Sequence, residues 1–219
     1  MTLPMWLVNN ALWLHGGGII VVLFTLALAT LLWWRPGIWL VIGFFVFTLY
    51  FFRVPDRAIL NKKGEGSFLI CPADGRIVEV LYDKNHTFNG HAWKIAIFLS
   101  PLDAHVNWMP VDCCITRIVY HPGSFVPAFL PKSSEHNEHV DLYLRMENGK
   151  SLIVRQIAGF VARRIVCWVH EGDCKRAGEL YGMIRFGSRV EVLLPESVII
   201  DVGVGQRVYG GQTILGRWA

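Results

Sequence analysis

The stretch Val140-Asp141-Leu142-Tyr143-Leu144-Arg145-Met146 alternates apolar with more polar residues at every step. A period of two marks a strand with one buried face, because successive side chains of an extended chain point to opposite sides. Working outward, Val190 and Val192 alternate in the same way before Leu193 and Leu194, and Ile77 to Tyr82 alternates more loosely. Ile95 to Leu99 is a continuous apolar run, as expected of a strand covered on both faces. Asn89-Gly90, Asn148-Gly149 and Gly210-Gly211 supply turn dipeptides. No long helical periodicity follows residue 60. The expectation for residues 68–219 is a mainly β domain, sandwich- or barrel-like.

The start of the chain reads differently. Ile19 to Trp34 and Gly37 to Phe52 are two apolar runs, and Arg35 is the only Lys, Arg, Asp or Glu before Arg53. Arg35-Pro36-Gly37 predicts a tight turn between two helices. At about 1.5 Å per residue each run gives roughly 24 Å of helix, a little short of a hydrocarbon core of roughly 30 Å. Ala11 to Gly18 would lengthen the first helix, although Gly16, Gly17 and Gly18 weaken it. Trp33, Trp34, Trp39 and Tyr50 lie near the run ends, where an interfacial aromatic belt belongs. A cleaved signal peptide fits poorly, because there is no basic n-region and a second apolar run follows at once. Arg53, Arg57, Lys62 and Lys63 follow the second run, which favours a cytoplasmic side for what comes next. The expected organisation is a hydrophobic helical hairpin over residues 1–52 anchored in the cell (inner) membrane. A linker over residues 53–67 then leads to the β-rich domain on the cytoplasmic side.

The chain of 219 residues carries a formal net charge of +4. That mild excess suits an anionic membrane surface or an anionic substrate. Without a Lys/Arg run interleaved with aromatics, it does not argue for nucleic acid. The five cysteines show no CxxC pair, which predicts buried thiols in a reducing compartment rather than a zinc ribbon or a disulfide framework.

Three Gly-Ser dipeptides occur, Gly66-Ser67, Gly123-Ser124 and Gly187-Ser188, and each alone reads as an ordinary turn. The third sits in Phe186-Gly187-Ser188-Arg189-Val190-Glu191-Val192, followed by Leu194-Pro195. Other blocks stand in order before it: Phe51-Phe52-Arg53-Val54-Pro55-Asp56-Arg57, Cys71-Pro72-Ala73-Asp74-Gly75, and Phe98-Leu99-Ser100-Pro101-Leu102-Asp103-Ala104-His105-Val106-Asn107. Gln156-Ile157-Ala158-Gly159 with Ala162-Arg163-Arg164-Ile165, and Gly178-Glu179 before Tyr181-Gly182, complete the series. In this order the blocks resemble the short bacterial and archaeal phosphatidylserine decarboxylases over essentially residues 51 to 216, and the hydrophobic hairpin resembles that family's anchor.

The resemblance implies a proenzyme that cuts itself between Gly187 and Ser188. The products would be a large chain (1–187) and a small chain (188–219) whose first residue is a pyruvoyl group derived from Ser188. It implies an Asp–His–Ser arrangement at Asp74, His105 and Ser188, in which His105 takes the Ser188 proton and Asp74 orients the imidazole. Glycine suits the position before the serine, because it permits the backbone strain that attack on its carbonyl requires. The pyruvoyl group would then condense with the amine of phosphatidylserine in the bilayer and act as the electron sink for loss of carbon dioxide, leaving phosphatidylethanolamine.

Arg163 and Arg164 are candidates for the headgroup phosphate, although on one strand only one of them would face the site. Two departures from the family stand out. Longer members carry a second histidine where this chain has Trp108, so its share of the work falls on His105 or on a residue such as His121. Glu138-His139 replaces the family's usual Glu-Arg. His136 and His139 invite a metal reading, but no third ligand is evident in the sequence, and no metal is expected. Homo-oligomerisation is left open. Two other readings stand beside the main one. One is a pyruvoyl decarboxylase acting on another amino-acid-derived substrate. The other is a non-catalytic membrane-anchored β-domain, since Val204-Gly205-Gln206-Arg207-Val208 and Gly211-Gln212-Thr213-Ile214-Leu215 resemble the Gly-turn ends of lipoyl-type carriers.

Overall fold

The computed structural model describes residues 17–30, 37–57, 68–85, 87–124, 137–159, 165–184 and 188–219. The chain divides into two compact units, Met1–Pro55 and Asp56–Ala219.

The first unit is helical. Residues 17–30 form α1, and Gly37–Phe51 form α2. Neither contains a charged side chain, and the few polar groups are satisfied inside the helix. Thr25 and Thr30 donate to carbonyls three and four residues back, and the Thr48 hydroxyl donates to the Phe44 carbonyl at 2.8 Å. Large apolar side chains such as Phe24, Leu28, Trp39 and Leu40 are exposed. Among the described residues no helix is long and apolar enough to cross a membrane. Arg35 and Pro36 of the expected turn, and residues 58–67 of the expected linker, lie outside the described residues.

The second unit is built of strands, as the alternation predicts. In chain order they are β1 (Phe68–Ile70), β2 (Gly75–Tyr82), β3 (Trp93–Leu99), β4 (Val106–Trp108), β5 (Cys113–His121), β6 (His139–Arg145) and β7 (Ser151–Ile157). Then follow β8 (Ile165–Cys167), β9 (Cys174–Lys175), β10 (Leu180–Ile184), β11 (Ser188–Leu194), β12 (Val198–Ile200), β13 (Arg207–Val208) and β14 (Ile214–Trp218). They make an eight-stranded sheet in the order β13-β2-β3-β11-β7-β6-β5-β9 and two three-stranded sheets, β1-β14-β12 and β4-β10-β8. The sheets are open, so of the two expected shapes the closed barrel is not the one adopted.

Register in the large sheet sorts its residues by face. Ile95, Ile97 and Leu99 of β3 share one face with Val190 and Val192 of β11, Val154 of β7 and Leu142 of β6, and all of them are buried. This is the apolar core. The other face carries a straight cross-strand row, Glu79–Ala96–Glu191–Arg155–Asp141. Its charges pair with one another. Arg155 grips Asp141 through Nε and Nη2 at 2.6 and 2.8 Å, and Lys94 lies 3.4 Å from Glu79. The apolar run of β3 is therefore covered on both faces, with ion pairs as part of the second cover.

The cysteines depart from expectation. Cys114 and Cys174 stand directly opposite each other on β5 and β9 and form a disulfide, whereas Cys71, Cys113 and Cys167 are free. The sequence offers no signal for this pairing, because the partners are 60 residues apart and meet only through strand register. Alkylation of the denatured chain without reductant should label the three free cysteines, and all five should label after reduction. Mass spectrometry of the alkylated protein counts the adducts, and five before reduction in protein kept under non-reducing conditions would refute the pairing.

Candidate active site

The chain path carries three predicted site residues to one end of the large sheet. Ser188 opens β11 and pairs with Leu99, the last residue of β3. From Leu99 a turn leads to His105 and β4, and the Ile184 N–H at the end of β10 donates to the His105 carbonyl at 3.1 Å. Only residues 185–187 separate Ile184 from Ser188. On the other side of β3, Gly75 begins β2 against the Phe98 carbonyl, and Asp74 immediately precedes it. A Cβ at Gly75 would lie 2.2 Å from that carbonyl oxygen, so only glycine permits this approach beside Asp74.

Asp74 is buried and tightly held. Arg57 donates to both its oxygens at 2.6 Å, and the Gly210 N–H donates to Oδ1 at 2.8 Å. Such a bidentate, charge-assisted pair fixes the carboxylate in one orientation. Arg57 is itself positioned by a 2.6 Å bond to the Gly210 carbonyl and by the Trp108 ring, whose centroid lies 4.8 Å from its guanidinium carbon. Trp108 packs flat on the backbone of Gly210, where an added Cβ would come within 2.2 Å of the ring. The tryptophan that replaces the second histidine thus supports the arginine that holds Asp74.

His105 is fully buried, and its Nδ1 lies 2.8 Å from the Asp103 carbonyl. A carbonyl only accepts, so Nδ1 carries the proton in the neutral ring and Nε2 carries the basic lone pair. The Nδ1 partner is therefore the Asp103 main chain, while the carboxylate of Asp74 is engaged by Arg57 and Gly210. Asp103 is locked in turn by Arg207 and by the amide and hydroxyl of Ser100 at 2.7 and 2.8 Å. Burial alone would raise the Asp103 pKa, but the bonds from Arg207 and Ser100 outweigh it and hold the group below its ordinary value. The carboxylate stays charged, and the loop that presents His105 stays pinned.

Ser188 is fully buried, and its Oγ makes no hydrogen bond among the described residues. It lies on the core face of the sheet. Its neighbour Arg189 points to the other face, where Nε meets Glu191 at 2.8 Å and Nη2 meets Glu79 at 2.6 Å. To reach Glu79 the side chain spans β3, whose residue in that row is Ala96 with only a methyl group. Near Asp74, burial pushes the Cys71 thiol up to about 12, so it does not compete as a nucleophile at neutral pH.

The remaining predicted residues are not gathered here. His121 on β5 pairs with His139, which pairs with Ile157, which pairs with Arg189. It lies three strands, or about 14 Å, from β11. Its place in the Arg189 row puts it on the face opposite Ser188. Gly187, Arg163 and Arg164 lie outside the described residues. Sequence reasoning assigned no site role to Arg57, Asp103, Arg189 or Arg207. All but Arg207 stood in motif blocks that carried the resemblance, and only their contacts reveal what they do.

Arg189 gives a stability test. Arg189→Met fills similar volume but strips the cation from the enclosed Glu191, and breaking such a buried pair costs about 3–5 kcal/mol. Chemical denaturation of the processing-deficient Ser188→Ala background, with and without Arg189→Met, measures it. A difference under about 1 kcal/mol would match an exposed pair and contradict this geometry.

Comparison with known proteins places the chain in a family. The family described as phosphatidylserine decarboxylase matches residues 44–216. The phosphatidylserine decarboxylase proenzyme of Granulibacter bethesdensis is 45% identical over 182 residues, covering 81% of this chain and 73% of that protein. The proenzyme of Gluconacetobacter diazotrophicus is 44% identical over 191 residues, covering 84% of each. That of Salinibacter ruber is 43% identical over 187 residues, covering 85% of this chain and 82% of that protein. With the family match covering residues 44–216 and relatives at 43–45% identity, the chain belongs to the phosphatidylserine decarboxylase family.

Proposed function

We propose that this chain decarboxylates phosphatidylserine to phosphatidylethanolamine with a pyruvoyl group made from Ser188 when the chain cuts itself after Gly187. The observation that carries the reading is Ser188 itself: a fully buried hydroxyl without a hydrogen bond among the described residues, at the head of a strand anchored by its next residue. Leaving a buried hydroxyl unsatisfied costs about 1–3 kcal/mol, and such sites are kept where the group has chemistry to do.

In maturation His105 accepts the Ser188 proton at Nε2, while the Asp103 carbonyl keeps Nδ1 protonated. The freed oxygen attacks the Gly187 carbonyl, and the Gly187–Ser188 C–N bond breaks as the leaving amine takes a proton. The resulting ester then loses the Gly187 carboxylate by elimination to dehydroalanine, which water hydrolyses to the pyruvoyl group and ammonia. Asp74 is the third member of the arrangement, its carboxylate fixed in one orientation by Arg57 and the Gly210 amide. A pyruvoyl group fits the position, since it is no larger than the serine it replaces, and the same face carries apolar Leu99 and Val190, with buried Gln156 and its partner Asn107 as polar groups. Once formed, it supplies the electron sink for loss of carbon dioxide. The protein's part is then to exclude water and return a proton, for which His105 is the best-placed group.

Strand pairing also explains how two chains would remain one enzyme. β11 pairs with β3 and β7, β13 with β2, and β14 with β1, so the small chain is woven into sheets of the large one. The helices of residues 1–52 would hold the enzyme at the cell (inner) membrane, where its lipid substrate resides. Their uncharged, outward-facing apolar side chains support that reading. Arg53, Arg57, Lys62 and Lys63 favour a cytoplasmic catalytic domain. The reducing cytoplasm would hold Cys114 and Cys174 as thiols, and their facing positions let the disulfide close once the isolated protein is kept under oxidising conditions.

Intact mass spectrometry of active membranes tests the core claim. Wild type should give residues 1–187 and a pyruvoyl-blocked 188–219, while Ser188→Ala and His105→Ala should give only the uncut chain of 24.8 kDa and no phosphatidylethanolamine from phosphatidylserine vesicles. An uncut wild-type chain with full activity would sink the mechanism.

Removing residues 1–52 tests the anchor. The truncated protein should stay in the supernatant after a high-salt wash yet still process, since Asp74, His105 and Ser188 all lie beyond the cut. Continued sedimentation with washed membranes would show that the β-domain binds the bilayer by itself.

A further inference from the structure

The charged face of the large sheet ends in three side chains with metal-ligating atoms. His121 on β5 stands directly opposite His139 on β6, and Asp141 lies two residues along β6 on the same face. Their ligating atoms all lie within 4.8 Å of one another. Two residues at i and i+2 on one strand, with a third from the facing strand, place three donors around one point above a sheet. The imidazoles stack, with centroids 4.4 Å and planes 16° apart, and His121 Nε2 lies 3.6 Å from Asp141 Oδ2. A shared ion therefore requires the partly exposed His121 ring to turn until its in-plane lone pair meets that of His139.

The surroundings prepare these donors. His139 Nδ1 lies 2.8 Å from the Asn137 carbonyl, so Nδ1 bears the proton and Nε2 offers its lone pair outward. Asn137 is fixed by a 2.7 Å bond to the Ala158 carbonyl. Asp141 is fully buried and oriented by Arg155, which takes two of the roughly four lone-pair sites of the carboxylate and leaves the others for a cation. Glu191 lies 3.9 Å from Arg155 and offsets part of its charge. His121 has 41% of its side chain exposed, while its Nε2 is buried beside Asp141 with no hydrogen-bond partner among the described residues.

We propose that His121, His139 and Asp141 form a site for a divalent transition metal of the zinc class, with two imidazoles, one carboxylate and water completing the shell. Turning of the His121 ring together with contraction by about an ångström would bring the donors to zinc distances of roughly 2.0–2.2 Å. The donors differ from the His136–His139 pair visible in the sequence, because the second imidazole arrives across the β5–β6 pairing. The site lies on the face opposite Ser188 and does not depend on the proposed activity. A bound ion would cross-link β5 to β6 at the end of the ion-pair chain that continues through Arg155 and Glu191 to Arg189.

The test uses tag-free full chain, stripped with chelator and titrated with Co2+ in detergent. One equivalent should bind and give visible d–d bands, without the intense near-ultraviolet absorption of a thiolate ligand, and Zn2+ should bleach them. Zn2+ should also raise the melting temperature. His121→Ala and His139→Ala should each weaken binding by at least about tenfold, while His170→Ala, an exposed histidine elsewhere, should match wild type. If calorimetry finds no stoichiometric binding to the wild-type chain, the proposal is overturned whatever the variants do. Binding that survives both substitutions, or that carries thiolate absorption, overturns it equally.

Discussion

A fully buried arginine beside Ser188 constrains everything around it. Arg189 can stay charged inside the protein only where carboxylates meet it, and Glu191 and Glu79 do so on one face of the sheet. A slip of β11 by one residue would drive Arg189 into the apolar core and expose Val190 to the charged row, so the register is fixed by both faces at once. The same register decides which way Ser188 points. The serine faces the core because its neighbour cannot.

Around that strand the site is assembled from segments far apart in the chain. Asp74 comes from the turn before β2, His105 from the turn after β3, and Arg57 from the chain leading into the unit. Each is held by a group of a different kind: Asp74 by a guanidinium and an amide, His105 by a main-chain carbonyl, and Arg57 by the face of Trp108 and the Gly210 carbonyl. Trp108, where longer family members carry a second histidine, serves as support, its ring lying against the Arg57 guanidinium. The ion pair of Asp103 with Arg207 fixes the loop on which the imidazole rides, so orientation of His105 depends on a residue near the end of the chain.

The charged row also shows how a sheet can be covered on both faces without being apolar on both. Residues of β11 are buried along its whole length, yet alternate members are Arg189, Glu191 and Leu193. Burial of these charges is tolerated because each has a partner across a strand or along it. Replacing Arg189 alone would take the nearest cation from Glu191 and Glu79 and leave them the more distant Arg155 and Lys94, and these shared pairs tie the strand carrying Ser188 to β2, β7 and β6.

Local pattern determined a good part of this protein. Alternation from Val140 to Met146 is β6 with the residue after it, and the run from Ile95 to Leu99 lies within β3. The family blocks, read in order, picked Ser188 from three Gly-Ser pairs and named Asp74 and His105 with it. Periodicity and motif depend on near neighbours, which a sequence displays directly. The tertiary structure alone decided that Arg57 grips Asp74, that Asp103 rather than Asp74 meets the imidazole Nδ1, and that Cys114 joins Cys174. It alone set His121 against His139 on the face away from the serine. Arg207 and Asp103 are separated by 104 positions in the chain, and Cys114 and Cys174 by 60. Such contacts arise from the pairing register of strands that are distant in sequence, a property of the whole sheet that no single segment carries.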